Sequence, residues 1–225
     1  VVAHDLKSPI LGIMGFAEII SDELQDLEQD DVRRFANNIS NSSGKILETI
    51  NRLLDVNMIE EGKIELRLEE FDLVSLVSET VSLAIPHARN KNIVINFRSE
   101  VEKLQIESDR SLSGQVFDNL ISNALKYSFS DSKVKVRIRL KDQSAFVEVE
   151  DQGQGISEEE LPMIYDRFKR LSSKPTAGES STGLGLNIVK NLVNLLHGKI
   201  SIKSKVGEGS TFTIELPVKF GSRRD

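Results

Sequence analysis

Hydrophobic residues in the first sixty positions recur at spacings of three and four, as on one face of an amphipathic helix. The first series predicts a helix from residue 1 to about 27, with apolar positions at Leu6, Ile10, Ile13, Ala17, Ile20, Leu24 and Leu27. A second series predicts a helix from about 32 to 59, with apolar positions at Phe35, Ile39, Ile46, Ile50 and Leu53. The acidic residues 26–31 separate the two, so the pattern predicts a helical hairpin.

Further apolar side chains lie outside these two stripes, at Leu11, Met14, Leu47 and Leu54. Two antiparallel helices cannot enclose a core between themselves, because each has more apolar surface than one partner covers. A second copy of the hairpin would complete a four-helix bundle. The sequence therefore predicts a homodimer formed through the hairpin. The alternative is a hairpin that packs against the C-terminal domain of its own chain.

Beyond Glu60-Glu61-Gly62-Lys63 the periodicity becomes mixed, and short alternating segments are interspersed with helical ones. Strands are predicted at 64–68, 93–98, 104–107, 134–140, 145–149, 200–204 and 210–216. Helices are predicted at 73–88, at 110–127, and from the 182–186 segment to about 196. This mixture is typical of an α+β fold. The chain is thus predicted to be multidomain, with an all-α hairpin over 1–61, an α+β sandwich over 62–220 and a polar tail over 221–225.

Net charge, cysteine content and the length of apolar runs exclude several kinds of partner and site. The 225 residues carry a net charge of −6, and the pI of 5.3 argues against a nucleic-acid partner. The chain has no cysteine, which excludes disulfides and thiolate metal sites and suits the cytoplasm. The longest apolar run, 10–17, is far shorter than the roughly 20 residues that span a bilayer. We therefore expect no membrane contact from this part of the protein.

The predicted helix at 110–127 carries two amides, Asn119 and Asn123, four residues apart and hence on one face. Two neutral amide oxygens could share a hydrated divalent cation. Magnesium would suit, because it keeps several waters and is normally held jointly by protein oxygens and substrate phosphates. The alternative is an amide pair that only caps a neighbouring loop.

Three glycine motifs follow in order, at 151–156 (DQGQGI), 182–186 (TGLGL) and 207–212 (GEGSTF). Glycines allow close approach of a ligand to the backbone, and a helix that opens after Thr182 presents free N–H groups to phosphate. Asp151 could accept a hydrogen bond from an adenine amino group. A single glycine motif of this kind arises in ordinary turns. The amide pair at 119 and 123 and these three glycine motifs make four motifs in order over about ninety residues, which indicates a nucleotide site.

These motifs resemble those of sensor histidine kinases. Residues 119–127 match the N box, 151–156 the G1 box, Phe168 the F box and 182–186 the G2 box, while His4-Asp5-Leu6-Lys7-Ser8-Pro9 resembles the H box. The resemblance implies an ATP-binding domain from about Glu65 to Pro217. The ATP-binding residues that it implies are Asn119, Asn123, Lys126, Tyr127, Asp151, Gly153, Gly155, Ile156, Phe168, Lys169, Arg170, Thr182, Gly183, Leu184, Gly185, Leu186 and Thr211.

By the same resemblance, His4 is the phosphorylated residue, with a neutral imidazole nitrogen as nucleophile. The neighbouring carboxylate of Asp5 can orient the ring and stabilise its developing positive charge. Ser8 lies one helical turn further on, where relatives that are also phosphatases usually carry threonine, asparagine or glutamine. Ser8 is therefore a candidate for orienting the water of a weak phosphatase reaction. The alternative is a small polar residue on the surface of the helix.

The polar segment 169–181 separates two nucleotide motifs and contains few core residues. We expect it to form a lid over ATP that is mobile without ligand. Lys169 and Arg170 could reach phosphate oxygens, or could be incidental cations of a solvated loop.

The resemblance implies a cytoplasmic, dimeric kinase core that uses Mg-ATP to phosphorylate His4 and passes the group to an aspartate of a response-regulator receiver domain. A related ATPase of the topoisomerase or chaperone type is the first rival. Those hydrolases usually carry glutamate where this chain has Asn119. A nucleotide-binding signalling module without catalysis is the second rival. Because His4 lies so near the first residue, we expect a piece of a longer protein, whose membrane attachment is left open.

Overall fold

A computed structural model describes residues 2–23, 27–60, 64–167, 169, 171–177 and 183–221. The chain forms two compact units, Val1–Gly62 and Lys63–Asp225. This arrangement, a helical hairpin followed by an α+β domain, confirms the predicted fold class. The predicted boundary between residues 61 and 62 falls outside the described residues and stays a prediction, as does the polar tail beyond residue 221.

The first unit consists of α1 (Val2–Glu23) and α2 (Gln29–Glu60). The second helix begins three residues earlier than predicted, with Asp30 and Asp31 in its first turn, where acidic side chains favour the positive end of the helix dipole. The rings of Phe16 and Phe35 stack across the hairpin with their centroids 5.6 Å apart. Among the described residues, none of the helices has the length and apolar character that crossing a membrane requires.

The second unit is built on a five-stranded sheet in the order β2-β4-β5-β7-β6. Strand β2 runs parallel to β4, and the other neighbours are antiparallel. Two further strands, β1 and β3, form a separate antiparallel pair. The bounds are β1 Leu68–Asp72, β2 Val94–Ser99, β3 Gln105–Asp109, β4 Lys133–Lys141, β5 Ser144–Glu150, β6 Lys199–Lys205 and β7 Gly209–Pro217.

Three helices bury the apolar face of the sheet: α3 (Leu73–Arg89), α4 (Arg110–Tyr127) and α5 (Gly185–Leu195). Alternate residues of the central strands, such as Val136, Val147 and Ile214, are fully buried, and Phe117 of α4 is buried as completely. Helix and sheet therefore form two layers, with the core between them.

Two aspartates fix where α3 and α4 begin. Asp72 Oδ1 accepts hydrogen bonds from Val74 N at 3.2 Å and Leu104 N at 2.8 Å, and Asp109 Oδ1 accepts from Leu112 N at 3.0 Å. Each therefore serves as an N-cap, satisfying a backbone donor that the first turn of a helix leaves without a partner. The capped start of α4 in turn positions the amides on that helix.

The strand predicted at 64–68 is wrong in its placement, because β1 begins only at Leu68. In the antiparallel register Leu68 pairs with Asp109, the last residue of β3. The chain turns into α4 at the next residue, so residues 64–67 have no strand beside them. Arg67 N instead donates to Asp109 Oδ2 at 2.9 Å.

Candidate nucleotide site

A cavity of about 520 Å³ opens between α4, α5 and the strands β5 and β7. One wall is formed by residues of the predicted nucleotide motifs, and another by the segment 171–173. Its lining consists of Asn123, Ala124, Tyr127, Asp151, Gln154, Gly155, Ile156, Leu171, Ser173, Leu186, Ser210 and Phe212. The pocket thus brings the N-box and G1-box residues together with Leu186 of the G2 box, although they are far apart in sequence.

Asp151 is a buried carboxylate in this cavity, with 6% of its surface exposed. Oδ1 accepts hydrogen bonds from Gly153 N at 2.8 Å and Ser210 N at 3.2 Å. Burial raises the pKa of Asp151 to about 6, although these two backbone donors oppose the rise. Both donors reach Oδ1, and within the described residues no donor reaches Oδ2. The carboxylate therefore has a free acceptor in a site that disfavours its charge.

At both G1-box glycines, a side chain would collide with neighbouring backbone atoms. A Cβ at Gly153 would lie 2.4 Å from the carbonyl oxygen of Tyr127, so the G1 loop can approach the end of α4 only without a side chain. Gly155 has φ +69°, and a Cβ there would lie 2.0 Å from the carbonyl oxygen of Lys205. These contacts place Asp151 and Ile156 beside Tyr127 at the cavity wall. A direct role of either glycine toward nucleotide stays a prediction.

Asn119 and Asn123 converge on the start of α5. A Cβ at Gly185 would lie 3.5 Å from Asn119 Oδ1, 3.5 Å from Asn123 Nδ2 and 3.8 Å from Asn123 Oδ1. Asn119 is buried and donates through Nδ2 to Gln115 O at 2.9 Å, which leaves its Oδ1 facing α5. The two amides therefore lie on the same face of α4, as their spacing predicts, and Gly185 leaves room between the helices.

The N-terminus of α5 adds backbone donors to the same region. Leu184 is its N-cap residue, and no side chain caps the helix in the described part of the chain. The N–H groups of a first helical turn have no partners within the helix and attract anions. Gly183 enters this turn with φ +69°. Leu184 is buried in the core and Leu186 lines the cavity, so only the latter faces a ligand.

The described part of the predicted lid follows a hydrogen-bonded path along the G1 loop. The side chain of Gln154 forms two bonds of 3.1 Å with the backbone of Lys174, and Ser173 Oγ donates to Gly155 O at 2.7 Å. Ser172 donates from its backbone N and its hydroxyl to Glu160 at 2.7 and 2.8 Å. These bonds hold the pKa of Glu160 below its ordinary value. Residues 172–174 are therefore hydrogen-bonded to the G1 loop and to Glu160. The mobility expected for the segment 169–181 without ligand stays a prediction.

Several predicted site residues are not among those that line the cavity. Lys126 lies in the last turn of α4 and Lys169 is exposed. Phe168, Arg170 and Thr182 lie outside the described residues, so their predicted roles stay predictions.

Thr211 is the one predicted residue that the strand geometry directs away from the cavity. Side chains alternate across a strand, and Phe212 and Ser210 of β7 line the cavity. Thr211 pairs with Glu150 and Lys203 and lines a polar cleft with them. We therefore replace Thr211 by Ser210, whose backbone N contacts Asp151. Alternation outward from the apolar Phe212 is the sequence signal that would have found it.

The predicted phosphoacceptor segment lies in α1. His4 and Asp5 belong to this helix, but their side chains lie outside the described part of the chain. Ser8 is exposed one turn further along α1. The predicted phosphoacceptor and the nucleotide cavity thus belong to different units of the chain.

Comparison with known proteins identifies the family. The family model described as "His Kinase A (phospho-acceptor) domain" matches residues 1–62, and that of the "Histidine kinase-, DNA gyrase B-, and HSP90-like ATPase" matches residues 108–219. The autoinducer 2 sensor kinase/phosphatase LuxQ of Vibrio vulnificus is 30% identical over 98% of this chain and 26% of the relative. The chain belongs to the sensor histidine kinases of two-component signalling, which confirms the resemblance.

Solved structures share the fold of this chain. The histidine kinase AdeS of Acinetobacter baumannii superposes with a TM-score of 0.72 at 24% identity, over 96% of this chain and 98% of that one. Histidine kinase ThkA, solved in complex with the response regulator protein TrrA, gives a TM-score of 0.71 at 29% identity, over 99% of this chain and 61% of that one. This chain spans about a quarter of the length of the LuxQ relatives.

Proposed function

We propose that this chain binds Mg-ATP in the α4–α5 cavity and transfers the γ-phosphoryl group to His4. One observation carries the proposal: a single cavity is lined by the free acceptor of Asp151 and by Asn123, and Asn123 meets the uncapped N-terminus of α5. The acceptor of Asp151 suits the amino group of adenine. Asn123 and the N-terminus of α5 suit the phosphates. The two together match the two ends of an adenine nucleotide.

The base would lie among apolar side chains and be read by one carboxylate. Ile156, Leu186 and Phe212 line the cavity beside Asp151. Asp151 Oδ2 can accept from the adenine amino group while Oδ1 keeps its two backbone donors. Guanine carries a carbonyl oxygen at that position, which would face the carboxylate. The site should therefore prefer adenine nucleotides.

The amides of α4 fit a magnesium ion that is shared with phosphates. Asn123 and Asn119 would contribute neutral oxygens, which magnesium accepts alongside water and phosphate ligands. The bound metal would neutralise charge on the phosphates during transfer. Asn119 Oδ1 faces α5, while its Nδ2 is engaged by Gln115 O. Lys126, Lys169 and Arg170 are the proposed phosphate-contacting cations.

Asn119 also favours transfer over hydrolysis. An amide does not accept a proton from water near neutral pH, so it cannot serve as the general base that a carboxylate provides in the related ATPases. Asn119 is buried, with 8% of its surface exposed, so another side chain that could act as the general base has little room at this position. The nucleophile should therefore come from the protein.

In the proposed step, an imidazole nitrogen of His4 attacks the γ-phosphorus. The N–P bond forms as the bond from the γ-phosphorus to the β,γ-bridging oxygen breaks, and ADP leaves with that electron pair. The proton on the other ring nitrogen is held by Asp5, which stabilises the positive charge on the ring. By the same proposal, the group then moves to an aspartate of a receiver domain. The complex of ThkA with TrrA supports this partner.

Homodimerisation of the hairpin is supported by its exposed apolar side chains. Leu11, Met14, Leu47 and Leu54 are each more than half exposed in the single chain, which is the surface that a second hairpin would cover. A reaction of this kind draws on cytoplasmic ATP, so we place the chain in the cytoplasm.

Incubation with γ-labelled ATP tests the proposal against both rivals. Label that stays on the protein in base and is lost in acid indicates a phosphohistidine and supports the kinase. Free labelled phosphate without protein label indicates an ATPase. Nucleotide binding without either product indicates a binding module, and both of these results would reject the proposal.

A further inference from the structure

Lys91 places a buried ammonium group at the C-terminal end of α4. The residue is 8% exposed, and Nζ donates to Leu125 O at 2.8 Å and Lys126 O at 3.0 Å. The last carbonyls of a helix have no partners within it and form the negative end of its dipole. The ammonium therefore lies at a point in the fold where its charge is stabilised.

A third donor bond from Lys91 reaches the lid. Nζ donates to Thr176 Oγ1 at 2.6 Å, and the Thr176 hydroxyl in turn donates to Ser128 O at 2.5 Å. The backbone N of Thr176 donates to Lys126 O at 3.2 Å. We name this set of bonds the Lys91–Thr176 clasp. It joins the lid to the end of α4, which carries the proposed nucleotide contacts Lys126 and Tyr127.

The clasp closes one end of a segment whose other residues form the cavity wall. Between Leu171 and Thr176, the backbone of Lys174 is bonded to the side chain of Gln154, and the hydroxyl of Ser173 donates to Gly155 O. Leu171 and Ser173 line the cavity. Release of Thr176 would leave residues 172–174 of this wall with their bonds to the G1 loop and Glu160, but would free the end of the segment from α4.

We propose that Lys91 and Thr176 are positioning residues for the nucleotide, which they serve by holding residues 171–177 against the end of α4 as a wall of the cavity. The inference rests on the proposed function. The bonds from Lys91 to the carbonyls of Leu125 and Lys126 are sufficient to cap α4. The ammonium of Lys91 nevertheless also donates to the hydroxyl of Thr176, 85 residues away in sequence. One buried group thus couples the shape of the lid to the end of the N-box helix.

Substitution of Thr176 tests the clasp with little risk to the core, because this residue lies in a partly exposed loop. Thr176→Val removes the hydroxyl, and we expect roughly tenfold weaker ADP binding by calorimetry, the effect of losing about one charge-assisted hydrogen bond. Labelling of His4 at saturating ATP should stay within about twofold. Thr176→Ser should restore affinity, and Thr213→Val, a partly exposed threonine of β7, is the matched control.

Hydrogen exchange without nucleotide provides the second readout. In Thr176→Val we expect about tenfold faster exchange at the amides of 172, 174 and 176, with β4 and β5 unchanged. Wild-type ADP affinity in the variant, or faster exchange that extends through β4 and β5, would overturn the inference alone. Wild-type protein that binds no ADP would overturn the proposed function as well, so the two failures are distinguishable.

Discussion

Replacing Asp151 by asparagine should separate stability from function. The substitution keeps the shape of the side chain, and an amide oxygen can still accept from Gly153 N and Ser210 N as Oδ1 does now. The amide NH2 then takes the place of Oδ2. A donor would face the adenine amino group where the wild-type protein offers an acceptor.

The stability change follows from the raised pKa of Asp151. Burial raises this pKa from 3.8 to about 6 in the folded protein, so the folded state binds the proton more tightly than the unfolded state. The ionised carboxylate therefore costs stability above the folded pKa, and the cost vanishes as the pH falls through 6 toward 4. Two pKa units correspond to about 3 kcal/mol. Asp151→Asn should accordingly be at least as stable as wild type at pH 8.

The affinity change has the opposite sign. Losing a hydrogen bond to a charged acceptor and leaving two donors face to face should cost about 3 kcal/mol of binding free energy, or roughly a hundredfold in Kd. GDP should lose less than ADP, because its carbonyl oxygen can accept from the new NH2 group. The ratio of ADP to GDP affinity should therefore fall.

Urea unfolding at pH 5 and pH 8, with calorimetric titration of ADP and GDP, measures both effects. The control is Asp142→Asn, the same change at an exposed residue of the β4–β5 turn with φ +47°, a conformation that asparagine tolerates as well as aspartate does. Asp151→Asn with wild-type ADP affinity would refute the adenine assignment. A variant that is clearly less stable than wild type at pH 8 would refute the account of its burial.

Three further predictions concern the proposed chemistry. Asn123→Asp should slow labelling at saturating Mg-ATP more than it affects folding, because an added carboxylate repels the phosphates and changes the metal ligands; unchanged labelling would remove Asn123 from the metal site. Asp5→Asn should keep ADP affinity while slowing labelling of His4 by about 10² or more, and wild-type kinetics would make Asp5 a solubilising residue. Ser8→Thr should speed dephosphorylation of the partner regulator with unchanged labelling, since its methyl group restricts χ1; strong activity unaffected by Ser8→Ala would reject a role for Ser8.

The order of elements and the grouping of the motifs could be predicted because both depend on local pattern. Apolar periodicity predicts α1 to α5 and all described strands except β1 to within a few residues, but not the short 3-10 helix Leu161–Met163. The spacing of Asn119 and Asn123 predicts their place on one face of α4. β1 was misplaced because alternation continues from Ile64 to Leu68, whereas pairing ends where β3 turns into α4. A strand begins where its partner permits, which the segment's own sequence does not encode.

At the site, too, the features that the sequence does not predict depend on contacts between distant segments. The 207–212 motif predicts Thr211 as a nucleotide contact, whereas alternation from Phe212 directs Ser210 to the cavity. The Lys91–Thr176 clasp joins residues that lie in unrelated segments, so neither periodicity nor motif spacing points to it. Burial likewise sets the pKa of Asp151, and burial depends on the packed G1 loop. Tertiary contacts of this kind appear only once the chain is folded.

The central claim, that ATP bound in this cavity phosphorylates His4, is tested most directly by labelling His4→Gln beside the wild-type protein with γ-labelled ATP at matched nucleotide occupancy. We expect the variant to bind ADP with wild-type affinity and to acquire no acid-labile label, whereas the wild type accumulates it with time. Equal acid-labile label on both proteins would place the phosphoryl group elsewhere and contradict the account.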